Sequence, residues 1–399
     1  MTSFLIARKS LRQHLLSTSV TALSVALAAG LLMTVWVVKE QSQNLFTNMT
    51  GGYDAVLGAR GSKLQLVLNA VFHLESSPGN IPYKDLELLR KDRRVAYAVP
   101  IAVGDNYRGY RLVGTEMGMF DNEYSEGKKF QLGQGSWFDE ERKEAVVGSF
   151  AARKLGLKLG DKFNPYHGLN YDVNKRHADV YVVKGVLEPT STPADRVIWI
   201  PLAGLQTMEG HAESAVNDIS AALVKFRSPQ AGVMMEQLYN KQGNRLTLAW
   251  PIGAVMAQLF DKIGWFDRIL EMVALLVAIV AAGSILASIY NSMNERRRDI
   301  AIMRALGARR TTIFGVILIE SSTIATIGSV LGFAIYAVIM NVASGVIREQ
   351  TGVVLEPFKW NPIMWMAPVG MIALGLLAGI APAIKAYRTP VAEFISPVS

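Results

Sequence analysis

Four uncharged, mostly apolar stretches organise the chain: Ser17–Val38, Met272–Asn294, Ser321–Ile347 and Asn361–Ile384. Each is long enough to cross the roughly 30 Å hydrocarbon layer as a helix. The pattern therefore predicts an α-helical membrane protein with four transmembrane helices, at 17–38, 272–294, 311–347 and 361–384. Between the first two the apolar positions break into short runs. Tyr53–Ala59, Val95–Val103, Tyr107–Gly114, Val180–Val186, Arg196–Ile200 and Ile219–Phe226 carry the β-branched and aromatic content of strands. Tyr83–Lys91, Ala151–Leu157 and Ala231–Lys241 have helical spacing, the first behind a proline. Gly104-Asp105-Asn106 reads as a hairpin turn and Glu188–Ala194 as a loop. Residues 39–251 are thus expected to form a large α+β domain. Beyond Pro251 the helical pattern runs from Ile252 into the second span with only Gly264 to interrupt it. One helix of that length measures roughly 65 Å at about 1.5 Å per residue, so 252–271 is expected to project from the membrane as a stalk.

Positive charge orients the spans. Arg8, Lys9 and Arg12 precede the first; Arg296, Arg297, Arg298, Arg304, Arg309 and Arg310 separate the second from the third; Lys385 and Arg388 follow the fourth. All three groups belong on the cytoplasmic side, which puts 39–271 and the short 348–360 loop outside. The N-terminus and the 385–399 tail are then cytoplasmic. Residues 1–16, with Phe4, Leu5, Leu11 and Leu15 among cations, suit either a short interfacial helix or simply the start of the first span. Ser17–Val38 is long for a signal peptide and shows no convincing cleavage pattern, which favours a retained anchor. The formal net charge of +8 is accounted for by these membrane-edge clusters and needs no nucleic acid. The absence of cysteine excludes disulfides, thiolate catalysis and cysteine metal ligands.

The 295–310 connection is the richest in chemistry. Ile302, Met303 and Leu306 can share a helical face, rimmed by Arg297, Arg298 and Arg304, while Gly307 is placed to end the helix. An apolar ridge with a charged rim is a docking surface; the plainer alternative is that the arginines only set topology.

The run Glu295-Arg-Arg-Arg-Asp-Ile-Ala-Ile-Met-Arg-Ala-Leu-Gly-Ala308, with Ile319-Glu320, Gly328-Ser-Val-Leu-Gly332, Ala381-Pro-Ala-Ile-Lys-Ala386 and Pro390-Val-Ala-Glu393, resembles the MacB/FtsX-like, or type VII, ABC permease family. Glu144-Ala-Val-Val-Gly148 and Ala152–Gly160 resemble it more weakly. The resemblance implies a porter-like external core with a variable subdomain. It also implies a dimer with a second copy or a close homologue, driven by a cytoplasmic ABC ATPase dimer. Glu295, Arg296, Arg297, Arg298, Asp299, Ile302, Met303, Arg304, Leu306 and Gly307 would then be the ATPase-coupling residues.

No Gly-x-x-x-x-Gly-Lys-Ser/Thr loop occurs, and Gly58-Ala-Arg-Gly-Ser-Lys63 has the wrong spacing. The chain is expected to bind no cofactor directly and to catalyse nothing itself, with ATP and Mg held by the partner ATPase. Glu320 stands alone as a charge between Thr311 and Ile347, which makes it a candidate for helix packing or conformational coupling. Gly328, Gly332, Gly375 and Gly379 have small-residue spacing for close helix packing, within a subunit or across a dimer, and Gly370 could join them. His73, His167, His177 and His211 are scattered without ligand spacing and read as structural or solvated, although ligands distant in sequence can meet in a fold. No nucleophile elbow is present.

Together these readings predict a mechanotransmission permease in a plasma membrane, a bacterial inner membrane by family. It would act on an amphiphile, lipid-linked molecule or peptide already outside the cytoplasm. The alternative is a signalling or scaffold subunit that switches an extracytoplasmic enzyme or adaptor. Membrane lipids, and an external adaptor or substrate protein, are the remaining expected partners.

Overall fold

The computed structural model describes residues 2–209 and 216–388, and the chain divides into two units. The first comprises residues 1–41, 264–344 and 356–399, the second 42–263 and 345–355. His211 and Pro390–Glu393 of the expected motifs lie outside the described residues.

The helices that contribute to the first unit are α1 (Thr2–Gln13), α2 (Leu15–Asn48), α3 (Ile252–Glu295), α4 (Arg297–Ala305), α5 (Arg310–Thr351) and α6 (Ile363–Arg388), of which α2, α3 and α5 also supply residues of the second. α2, α3, α5 and α6 are each long and apolar enough to cross a membrane. α3 is continuous through Gly264, so the stalk expected at 252–271 is helical throughout. α1 is a separate helix, with the break at His14. Leu275, Leu276, Ile279 and Val280 on α3 and Val330, Leu331, Val338 and Val342 on α5 are exposed. In water such faces would form large apolar patches; against lipid they cost nothing.

Small residues hold α2 against α5. A Cβ added at Gly328 would lie 2.5 Å from the Val25 Cβ and 2.7 Å from the Ala22 carbonyl oxygen, and one at Gly332 would lie 2.9 Å from the Ala29 Cβ. Gly375 plays the same part between α6 and α5, 2.6 Å from the Ala325 Cβ, and Gly379 abuts Ser321. The glycine pairs therefore pack helices within one subunit. Gly370 does not join them, since nothing among the described residues lies within 4 Å of its would-be Cβ. Away from the α3–α5 connection, Lys39 Nζ pairs with Glu271 Oε1 at 2.6 Å and Asn361 Nδ2 donates to Glu40 Oε2 at 2.9 Å.

The second unit is built on one mixed sheet. Its main strands are β1 (Ala55–Ala59), β2 (Val95–Tyr107), β3 (Tyr110–Thr115), β4 (Leu132–Gly135), β5 (Glu144–Val147), β6 (Tyr181–Leu187), β7 (Ile198–Pro201), β8 (Ala221–Phe226) and β9 (Leu246–Ala249), in the order β9-β1-β8-β2-β3-β7-β5-β6-β4. Pairing is antiparallel except for β7 on β3 and β6 on β5. Successive side chains go to opposite faces, and both faces of the central strands are buried, while the β4 edge is exposed. Ala55, Leu57, Val183 and Ile198 meet Leu86 and Leu89 of the helix Tyr83–Lys91 on one side. Val56, Val146 and Trp199 meet Leu66, Ile252 and Met256 on the other.

One expectation fails here. The hairpin joining β2 and β3 turns at Arg108 (φ 49°) and Gly109 (φ 87°), not at Gly104-Asp105-Asn106. Two consecutive positive φ values are what a tight hairpin turn needs. Asp105 and Asn106 stay in β2, fully buried beside a bulge at Val103/Asp105. The Asn106 amide secures the surroundings: its Nδ2 donates to the carbonyls of Gly168 (2.8 Å) and Asn170 (3.2 Å), and its Oδ1 accepts from the Gly109 N–H (3.0 Å).

Candidate functional site

The connection between α3 and α5 is built as a short helix fixed on one side and open on the other. α3 ends at Glu295, Arg296 takes a non-helical conformation (φ −105°, ψ 15°), and α4 begins at Arg297. Asp299 in the first turn and Arg304 in the last both favour the helix dipole. At the far end Gly307 (φ 98°) donates to the Arg304 carbonyl at 3.1 Å, and Ala308 donates to the Met303 carbonyl at 3.0 Å. Those two bonds with a left-handed glycine constitute a Schellman stop. Gly307 thus ends the helix where the sequence places the end.

The inner side of α4 is buried through Ile300 and Ala301. Arg296 turns inward as well. Its guanidinium lies 3.1 Å from the Glu320 carboxylate, with side chains only 15% and 5% exposed, and it also donates to the Ser10 hydroxyl of α1. His14 Nδ1 lies 3.1 Å from Glu295 Oε2, and the Ser17 and Ser288 hydroxyls are 2.9 Å apart. α1 and the start of α2 are thereby fastened to the end of α3. Arg297 is half-buried and donates to Asn294 Oδ1 at 2.6 Å, while Met303 lines a small pocket with Ile289, Ile317 and Glu320.

Two corrections to the sequence reading follow. Met303 does not share the outer ridge of Ile302 and Leu306, because a residue one position on is rotated by about 100° and here that rotation brings it to the covered side. Arg296, expected among the ATPase-coupling residues, is a buried ion-pair partner of Glu320 and lies off the exposed face. Glu320 is accordingly paired, ten residues into α5 from Arg310, at the end of the bundle that carries the connection.

The outer side of α4 presents Arg298, Asp299, Ile302, Ala305 and Leu306. Ile302 is 44% exposed and Leu306 83%, one helical turn apart, with Arg298 in line one turn before them. An apolar pair at that spacing with a cation and a carboxylate beside it can receive a partner's groove.

The second unit holds a cluster that sequence reasoning missed. Asp105, His167 and His177 converge, with ligand atoms all within 4.8 Å of one another. The usable signal was the Arg108-Gly109 pair, a better hairpin turn than Gly104-Asp105-Asn106, which returns Asp105 to the strand. His73 is not solvated: it is buried edge-on to Trp199 at 5.5 Å between ring centres. Burial, helped by the Arg111 charge, pushes its imidazole down to about 3.

Comparison with known proteins places these features in context. The family model described as MacB-like periplasmic core domain matches residues 15–238, and that described as FtsX-like permease C-terminal matches residues 271–391. The macrolide export ATP-binding/permease protein MacB of Brucella abortus (strain 2308) is 22% identical over 401 residues, covering 96% of this chain and 58% of that protein. The probable syringafactin export ATP-binding/permease protein SyfD of Pseudomonas syringae pv. syringae (strain B728a) is 23% identical over 288 residues, 71% of this chain and 43% of that protein. The chain thus spans about half the length of these curated relatives. The crystal structure of the periplasmic region of MacB from Actinobacillus actinomycetemcomitans has 15% identity and a TM-score of 0.35, covering 55% of this chain and 96% of that one.

Proposed function

Because this chain belongs to the MacB/FtsX-like ABC permease family, we propose that it is the permease subunit of an ATP-driven mechanotransmission complex whose ATPase docks on the outer side of α4. A transporter permease role in a membrane, with a large extracytoplasmic domain, follows from the family and the four apolar helices. ATPase docking is supported by the face of Arg298, Ile302 and Leu306, exposed on a helix whose opposite side is anchored by Ile300, Ala301 and the Arg296–Glu320 pair. A helix held in this way can pass a push from a docked partner into α3 and α5, where a loose loop would absorb it.

In this reading α1, α4 and the end of α6 face the cytoplasm, in keeping with the positive charges at these positions. A dimer of ABC ATPases binds ATP and Mg and closes; α4 moves; α3, helical from Glu295 back to Ile252, carries the displacement outward. A second copy or close homologue completes the permease. The macrolide export named for the Brucella relative favours a cargo, an amphiphile, lipid-linked molecule or peptide taken up outside the cytoplasm, over the switching of an external enzyme.

The test uses the full chain in lipid nanodiscs, with every co-purifying polypeptide and small molecule identified by mass spectrometry. Wild type should bring down an ABC ATPase, and Leu306→Asp or Arg298→Glu should abolish that association while membrane insertion is unchanged. Recovery of no ATPase under several mild extraction conditions, or undiminished association in both variants, overturns the assignment.

A further inference from the structure

We infer that Asp105, His167 and His177 form a binding site for a zinc-class divalent metal ion in the large domain. Three parts of the fold deliver the ligands. Asp105 follows the bulge in β2, and the backbone of His167 pairs directly with that of Asp105. The chain then loops out and returns, with the His177 N–H donating to the Pro165 carbonyl at 2.9 Å and Arg176 bridging back to Tyr166. The Asn106 amide ties the intervening loop to β2 through the Gly168 and Asn170 carbonyls. The ligands are thus fixed by backbone pairing, and ordering them costs little at the moment of binding.

The spacing is that of donors around one small ion. Asp105 Oδ1 lies 3.1 Å from His177 Nε2 and 3.4 Å from His167 Nδ1. Tetrahedral coordination with bonds of about 2.0–2.1 Å puts neighbouring donors about 3.3–3.4 Å apart, at the upper end of those two distances. Two imidazoles and one carboxylate, without cysteine in the chain, suit zinc and its cobalt substitute and do not suit magnesium or calcium, which prefer all-oxygen shells.

Hydrogen bonding supplies the second, independent argument. His177 Nδ1 is 2.7 Å from the Glu209 carbonyl oxygen, which can only accept, so Nδ1 carries the proton. Nε2 of the same ring is the nitrogen that faces the Asp105 carboxylate. A metal-ligating histidine uses its other nitrogen in this way, donating to a backbone carbonyl that fixes the tautomer. Glu209 is itself held, its N–H donating to Asp179 Oδ2 at 2.9 Å. Asp105 is fully buried, His177 nearly so, and the His167 side chain is 52% exposed, leaving an approach from solvent on one side. The rival occupant is a proton, giving a plain imidazolium–carboxylate pair.

The full chain, purified with a tag free of histidine and stripped with a chelator, is titrated with Zn2+ by calorimetry and with Co2+ by visible absorption. One equivalent of Zn2+ should bind with sub-micromolar affinity, and Co2+ should give the intense d–d bands of a four-coordinate site. His177→Ala should abolish uptake. His167→Ala, at a half-exposed position where folding is not at stake, should weaken it by more than about 100-fold, beyond the loss of an outer partner. Absence of stoichiometric uptake by the wild type means that a proton occupies the site, and uptake that survives both variants places the metal elsewhere. Either result overturns the inference.

Discussion

Replacing Glu320 with Gln should destabilise the helical unit by about 3–5 kcal/mol, because it leaves the Arg296 guanidinium buried without its counter-charge. The figure can be approached from the geometry. At 3.1 Å two unit charges attract by about 5 kcal/mol for an effective dielectric of about 20. Side chains 15% and 5% exposed have forfeited most of their hydration, a cost of several kcal/mol per ion. Attraction and desolvation nearly cancel, so the pair as a whole contributes little while each member depends on the other. Single variants Glu320→Gln and Arg296→Met should therefore each lower the unfolding midpoint of the full chain in nanodiscs, followed by intrinsic fluorescence. The double variant Arg296→Met/Glu320→Met should recover to within about 2 kcal/mol of wild type, since it removes both charges together. A double variant as unstable as the sum of the singles would show that the pair carries no coupling and would refute the reasoning.

Gly328→Val should separate α2 from α5 by forcing its branched side chain into Val25 and the Ala22 carbonyl, at a cost of about 1–3 kcal/mol or more, seen as a lower midpoint in the same assay. Gly370→Val, with open space around it, should leave the midpoint unchanged. His73, held down to about 3 from an ordinary 6.5, binds a proton more readily unfolded than folded, so its contribution to stability is full above pH 6.5 and is lost as pH falls toward 3. Acidification from pH 7.5 to 5.0 should cost about 2 kcal/mol through this group. The difference in pH dependence between wild type and His73→Asn, measured by fluorescence-monitored unfolding, should disappear above pH 7; equal acid sensitivity in the two would contradict the assignment. Asn106→Ala should cost about 2–3 kcal/mol by leaving the Gly168 and Asn170 carbonyls and the Gly109 N–H without their partner, and should raise amide exchange across 164–177.

What could be read in the sequence was whatever depends on local periodicity and strong punctuation. The four long helices, the helix at Tyr83–Lys91 and the stop at Gly307 follow from apolar run length, from a proline at the start and from a glycine at the end. The hairpin was misplaced by a few residues because Gly104-Asp105-Asn106 and Arg108-Gly109 both offer turn chemistry, and only pairing with neighbouring strands decides between them. β9, with Leu246 and Leu248 on one face, is short and ends two residues before Pro251, so its four residues gave no distinct period. A helical wheel orders the residues of α4 around the axis but does not say which arc is covered. The inward turn of Arg296 and Met303 required α1 and α5 to be in place. Convergence of Asp105, His167 and His177 is likewise a property of strand pairing, invisible to spacing.

If an ATPase docks on α4 as proposed, the division of this helix into a held side and an open side separates association from transmission, which a substitution in a flexible loop would confound. A partner docked on Leu306 and Ile302 gains affinity from burying their apolar surface, about 1.5–3 kcal/mol for a fully buried leucine, whatever the state of the inner side. In the proposed relay, transmission depends on the inner side, because a push on α4 would reach α3 and α5 only if Arg296, Ile300 and Ala301 stay seated. Leu306→Asp should therefore lower ATPase association itself. Arg296→Met/Glu320→Met, which leaves the outer face intact, should retain association while weakening the dependence of ATPase rate on whether the permease is present. The two readouts are pull-down affinity and permease-stimulated ATP turnover in the same nanodiscs. Parallel loss of both in the clamp variant, with the fold preserved, would mean that α4 acts as a single adhesive patch and that the buried ion pair has no share in passing force to the long helices.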